Sequence, residues 1–245
     1  MLPWNDKLLN TEWEYAAVKF EHTEQNRVTI PERMVVLDHP KRDRLVTGML
    51  YKYSMILPLL PPEGRILDAC AGAGFGASLL AASGYEVVAM DARLPWAKTR
   101  DNITCVETDI KEFHTNGGPQ YDAVVMIDAI EHLKGQHQIG ILQHLYTLLK
   151  PGGYFLIDTP RVKKSGRQSG SHPSCLNWED LLKRFFEAGE WEEYQRYLIS
   201  FVHPVKDGPG FTITHRINGE PPEEIVNGQD QIIIGRKVDN GYLYG

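Results

Sequence analysis

Two groups of residues in this chain have the types and spacing of a chemical site. In the first, Asp68 lies in the apolar run Arg65 to Ala69, and Gly72, Gly74 and Gly76 follow at every second position. A second apolar run, Tyr85 to Met90, ends on Asp91. Glycine accepts positive φ and lets a ligand approach the backbone, and a helix that starts at such a turn offers unpaired N–H groups. A carboxylate at the tip of the second strand of a βαβ unit is where ribose hydroxyls are held. The group therefore reads as the cradle of a nucleoside-bearing cofactor. The second group is Asp128, Glu131 and His132. If a helical turn begins at Asp128, the i, i+3 and i+4 relation brings the three side chains to one side. His132 is then a general base oriented by a carboxylate. Alternatively the three hold Mg2+ or a similar ion that lowers the pKa of a bound hydroxyl. The plainer alternative is that Glu131 and His132 cap a helix and bond to nearby backbone.

The elements that must position these residues alternate along the chain. Strands are expected at Arg65–Ala69, Glu86–Met90, Ile103–Glu107, Tyr121–Ile127 and Tyr154–Asp158, with helices at Gly76–Ser83 and Gln136–Lys150. The run Tyr121 to Ile127 is almost continuously apolar, as a strand covered on both faces requires. Strands alternating with helices of this length imply a parallel, doubly wound α/β sheet. Before it, Leu8–Phe20 and Leu45–Leu60 have helical periodicity and flank a polar arm, 21–44, with Pro61-Pro62 as the stop. The expected division is a helical extension or lid over 1–60 and a cofactor-binding domain over 61–245. After the fifth strand come a helix at Trp178–Ala188 capped by Asn177 and strand-like runs at Trp191–Phe201, Phe211–Arg216 and Gln231–Lys237.

Bulk properties narrow the classes. The 245 residues are 42% hydrophobic and 24% charged, an ordinary globular composition. No apolar run approaches 18 residues, so no membrane span is expected, and the start of the sequence lacks the pattern of a secretory signal. Cys70, Cys105 and Cys175 show no CxxC spacing. They read as buried reduced thiols, which suits a cytoplasmic location. A net charge of −6 disfavours non-specific attraction to nucleic acid.

The glycine spacing, Gly72-x-Gly74-x-Gly76, departs from the GxGxxG of dinucleotide binders. Asp68 before the turn suits the ammonium of a methionine portion. Asp109 after the third strand suits an adenine amino group, with Ile110 packing on the ring. Here the sequence resembles the class I S-adenosylmethionine-dependent methyltransferases, well over 44–150 and loosely elsewhere. The matching segments are Ile66 to Gly74, Asp91, Asp109-Ile110, Tyr121 to Leu133 and Leu149 to Tyr154. The resemblance implies a Rossmann-like, mostly parallel seven-stranded sheet whose final strand, Gln231–Lys237, is antiparallel. It implies S-adenosyl-L-methionine held by Asp68, Ala69, Cys70, Gly72, Gly74, Asp91, Ala92, Asp109, Ile110 and Asp128. Members commonly carry glycine where this chain has Cys70; a small residue still fits there.

The pattern Asp128-x-x-Glu131-His132 also resembles the ubiquinone-pathway O-methyltransferases and the small-RNA 3′-terminal 2′-O-methyltransferases. In both groups the equivalent residues are associated with a divalent ion, though both usually carry Glu where this chain has Asp128. His172, in Gly170-Ser171-His172-Pro173, resembles a further histidine of those groups and joins His132, Asp128 and Glu131 as a catalytic candidate. The preceding loop, 161–170, carries four cations and no acid. It reads either as a solvated face or as a grip on an anionic substrate through Lys163, Lys164 and Arg167. Arg42, Arg44, Tyr51 and Tyr53 are expected around the same mouth. Neither an Asn-Pro-Pro-aromatic motif nor a Pro-Cys nucleophile follows the fourth strand, which favours oxygen as the acceptor. The expected function is O-methylation of a small or medium-sized hydroxylated substrate, a small molecule or a glycan. A 2′-O-methyltransferase acting on RNA ends is the alternative enzyme, with nucleic acid the less favoured partner. An S-adenosylmethionine-binding partner subunit is the non-enzyme alternative. Oligomeric state is not read from the sequence.

Overall fold

A computed structural model describes Met49 and residues 52–72, 74–94, 102–115, 117, 120–160, 174–200, 212–214 and 229–239. The expected helix at Leu8–Phe20, the arm at 21–44, the loop 161–173 and residues 95–101 lie outside these residues. The elements fall in two units, Met1–Ile110 and Lys111–Gly245.

In the first unit, β1 (Arg65–Ala69), β2 (Glu86–Asp91) and β3 (Ile103–Glu107) form a parallel run in the order β3-β2-β1. Helix α1 (Phe75–Ala82) crosses from β1 to β2 and buries Phe75, Ala77, Leu79 and Leu80. The expected helix over Leu45–Leu60 ends early. Residues 52–54 are helical, and the chain then passes through a turn into a short 3-10 helix at Leu57–Leu59. The reason is Pro58, which has no N–H to extend an α-helix and sits at the start of the tighter turn.

In the second unit, β4 (Tyr121–Met126) pairs in parallel with β5 (Leu149–Pro160). Next to β5 lies β8 (Gln229–Lys237), antiparallel as expected, and then β6 (Trp191–Ser200). Seven strands thus carry the expected pattern. An eighth, β7 (Thr212–Thr214), lies within the expected run Phe211–Arg216 and adds a short antiparallel edge to β6. Ala123 to Met126 are fully buried, consistent with a strand covered on both faces. Helix α2 (Gly135–Leu148) buries Ile141, Leu142, Leu145 and Leu148. Helix α3 (Trp178–Ala188) buries Trp178, Leu181, Phe185 and Ala188. Its Asn177 side chain accepts from the Asp180 amide at 2.9 Å, the expected cap. Phe185 stacks on Trp191 with ring centroids 4.1 Å apart, pinning α3 to the start of β6.

Helix α2 ends at Leu148, and β5 starts at Leu149 rather than at the expected Tyr154, with Pro151-Gly152-Gly153 as a kink inside it. Gly152 takes φ +73°, and a Cβ on Gly153 would stand 3.0 Å from the Lys150 carbonyl. Two adjacent glycines let the strand bend there, and its pairing with β4 shifts register between Tyr121 and Ala123.

Candidate functional site

The glycine turn of the first unit is built from left-handed backbone. Cys70, Gly72 and Gly74 have φ of +68°, +52° and +79°. The two glycines occupy this region without a Cβ penalty, whereas Cys70 incurs one. This is the physical content of the departure at Cys70: it stands at a left-handed position that suits glycine. A Cβ on Gly72 would meet nothing nearer than the Cys70 carbonyl at 4.0 Å, so this face of the turn is open. The Gly72 amide donates to Asp91 Oδ2 at 2.9 Å, and the Arg93 amide donates to Asp91 Oδ1 at 3.0 Å. These bonds tie the turn to the end of β2. Each carboxylate oxygen keeps further acceptor capacity, which suits ribose hydroxyls.

Asp68 is fully buried, and Tyr53 Oη donates to its Oδ1 at 2.8 Å. Burial, reinforced by the charge of Asp91, pushes the Asp68 carboxyl up to about 7 against the pull of the Tyr53 hydrogen bond. Tyr53 is itself only 3% exposed. It does not line a substrate mouth as expected; its ring lies against Gly76, where a Cβ would stand 1.9 Å from Tyr53 Cζ. Asp109 is exposed at the end of β3, and Ile110 is buried beside it. Arg42, Arg44 and Tyr51 lie outside the described residues.

The acid–histidine group of the second unit departs from the expected geometry. The turn is a 3-10 helix at Ile130–His132, not a helical turn from Asp128. Asp128 has φ +48° and Ala129 has φ −130°, so the i, i+3, i+4 relation does not hold. The short aspartate side chain suits the left-handed region better than most residues. The consequence is a division of faces. His132 is exposed, while Glu131 is buried and accepts from Thr159 Oγ1 at 2.9 Å. Burial, with the nearby charge of Asp128, raises the Glu131 carboxyl above its ordinary range.

The metal expectation for Asp128, Glu131 and His132 does not fit this arrangement. Among the described residues the acids that do converge are Asp128, Asp158 and Asp230, whose ligand atoms lie within 4.8 Å of one another. His172, Lys163, Lys164 and Arg167 lie outside the described residues. Cys70, Cys105 and Cys175 form no disulfide and are partly exposed, not buried as expected.

The family model described as a methyltransferase domain matches residues 44–196, more than half of the chain. This chain belongs to that methyltransferase family. The domain is 33% identical over 112 residues to a ubiquinone biosynthesis O-methyltransferase of Rickettsia canadensis, covering 41% of this chain and 45% of that protein. The Rickettsia typhi protein of the same name is 32% identical over 140 residues, covering 53% and 52%. The chain spans about half the length of these curated relatives. Among solved structures, the domain superposes on a Burkholderia thailandensis 1,6-didemethyltoxoflavin-N1-methyltransferase with bound S-adenosylhomocysteine. The TM-score is 0.58 at 17% identity, covering 92% of this chain and 90% of that one. The fold is that of the class I, Rossmann-like methyltransferases: doubly wound and mostly parallel.

Two residues that support the methyltransferase site are absent from the sequence reading. Gln138, fully buried in α2, donates through Nε2 to the Ile130 carbonyl at 2.9 Å and the Ser174 carbonyl at 3.1 Å. Its Oε1 accepts from Arg184 Nε of α3. One side chain thus holds the 3-10 turn, the segment entering α3, and α3 itself. Thr159 is the second, as the hydroxyl donor to Glu131. A polar residue at a stripe position of α2 is the one sequence signal that points to Gln138.

Among the described residues no helix is long and apolar enough to cross a membrane.

Proposed function

We propose that the domain transfers a methyl group from S-adenosylmethionine to an oxygen of a small hydroxylated substrate. The observation that carries the cofactor half is the glycine turn, left-handed at Gly72 and Gly74, open at Gly72 and tied by the Gly72 amide to Asp91. Asp68, Ala69, Cys70, Asp91, Ala92, Asp109 and Ile110 complete the proposed cofactor set. The relatives named for O-methylation, together with the missing Pro-Pro and Pro-Cys motifs, support oxygen as the acceptor.

The sulfonium of the bound cofactor carries the activation. The chain must align the acceptor, exclude water and take a proton. His132, exposed at the end of the 3-10 turn, is the proposed general base for the acceptor hydroxyl. Glu131 holds the turn from beneath through Thr159. Asp128, in its left-handed position, is the proposed polar contact at the end of β4. His172 and the cations Lys163, Lys164 and Arg167 are proposed to meet an anionic substrate. Mg2+ is not part of this proposal, because the acid pattern expected to hold it is divided between a buried and an exposed face.

A labelled-methyl transfer screen over catechols, sugar nucleotides and short RNAs tests the proposal. The expected result is transfer to a hydroxylated small molecule, with His132→Ala lowering kcat by about 100-fold and leaving cofactor affinity intact. Transfer to RNA alone moves the reading to a 2′-O-methyltransferase. Cofactor binding without transfer to any acceptor supports a partner subunit.

A further inference from the structure

Tyr53 is a buried side chain of the first unit that the proposed chemistry leaves unused, and it touches both halves of the cofactor turn. Its hydroxyl donates to Asp68 Oδ1 at 2.8 Å, and its ring occupies the space above Gly76 that any Cβ would need. Asp68 Oδ2 is buried and has no hydrogen-bond partner among the described residues. The groups that face the Asp68 carboxyl are the Tyr53 hydroxyl from before β1, the Ala77 amide from α1 and the Asp91 carboxylate from β2.

We propose that Tyr53 is a positioning residue of the cofactor site: its hydroxyl holds Asp68 so that Oδ2 is left for the amino group of the cofactor's methionine portion. The proposal rests on the reading of Asp68 as the partner of that amino group. A hydroxyl that donates to a carboxylate favours the ionised form, while burial opposes ionisation. The balance holds Asp68 near pH 7. Below that pH a cationic amino group must displace a proton to pair with Asp68, so affinity rises with pH and then levels. Without the hydroxyl the proton is held more tightly, and the rise moves to higher pH.

The test is calorimetric titration of the full chain with S-adenosylhomocysteine from pH 5.5 to 8, for wild type, Tyr53→Phe and Asp68→Asn. The wild-type affinity is expected to rise with pH and level near 7. In Tyr53→Phe the rise is displaced upward by about one pH unit. Affinity is then about tenfold weaker at pH 6 and within about twofold of wild type at pH 8. Asp68→Asn is expected to bind with no such step. A Tyr53→Phe profile that matches wild type, or one weakened equally at every pH, overturns the positioning role. A step retained in Asp68→Asn overturns it too, and can do so even if Tyr53→Phe fails to fold. No binding of S-adenosylhomocysteine to wild type at any pH instead defeats the cofactor reading itself.

Discussion

The two acid-bearing regions of this domain differ in how their carboxyl groups are placed. In the first unit each key carboxylate meets a donor from a nearby element. Asp91 receives the Gly72 and Arg93 amides, and Asp68 receives the Tyr53 hydroxyl. In the second unit carboxylates gather with one another. Asp128, Asp158 and Asp230 converge, and Glu131 is raised by burial and by Asp128. The first arrangement suits a site with a fixed ligand shape, since its donors and acceptors are pre-set. The second brings three carboxyl groups within 4.8 Å of one another, in surroundings fixed by buried polar side chains. Gln138 holds the Ile130 and Ser174 backbone, and Thr159 holds the Glu131 side chain.

The largest test of this contrast is Gly76→Ala. Its Cβ would stand 1.9 Å from the Tyr53 ring, and both lie in the packed first unit. Tyr53 must shift, Asp68 loses its donor, and affinity for S-adenosylhomocysteine is expected to fall at least as far as in Tyr53→Phe, about tenfold at pH 6 by calorimetry. The overpacking is expected to cost about 1–3 kcal/mol of stability as well.

Next is the pH dependence of the unliganded chain. Asp68 is raised to about 7 in the folded state, against roughly 4 for an ordinary aspartate. Between these values the folded state holds a proton that the unfolded chain has lost. The contribution of Asp68 is therefore fully present below about pH 4 and is lost as pH rises through 7. Unfolding free energies from urea titration are expected to fall between pH 5 and pH 8 by an amount on the order of a few kcal/mol. In Asp68→Asn this part of the slope is expected to vanish; an unchanged slope assigns it elsewhere.

The smallest effect belongs to the second unit. Gln138→Leu keeps the volume but removes the donor to Ile130 and Ser174 and the acceptor of Arg184. Leaving buried groups without partners costs about 2 kcal/mol, measured by urea denaturation. Cofactor affinity is expected to stay within about twofold. If it falls with stability, the two regions are less separate than the contrast holds.

The two regions also differ in how far they are legible from sequence. Strands β1 and β3 match their expected bounds, and the glycine turn lies where the spacing places it. The turn was readable because its parts are contiguous and each has a local backbone reason: left-handed φ at Gly72 and Gly74, and a strand end at Asp91. The acid–histidine group is legible in its residues but not in its geometry. A helical turn from Asp128 looked natural by spacing alone. The left-handed Asp128 and the bond from Thr159 in β5 instead turn Glu131 inward and leave His132 outside. Tyr53 was read as a mouth residue for the same reason: burial on Gly76 is not visible in the local pattern.

Sequence alone determined the strand and helix succession, the left-handed glycine positions and the carboxylates at the strand ends. These depend on steric rules and hydrophobic period, which act over a few residues. Tertiary structure decided which oxygen of Asp68 is already taken, which way Glu131 faces, and that Asp128, Asp158 and Asp230 meet. Those outcomes depend on residues tens of positions apart in sequence, and on burial that shifts a proton. No local pattern encodes either.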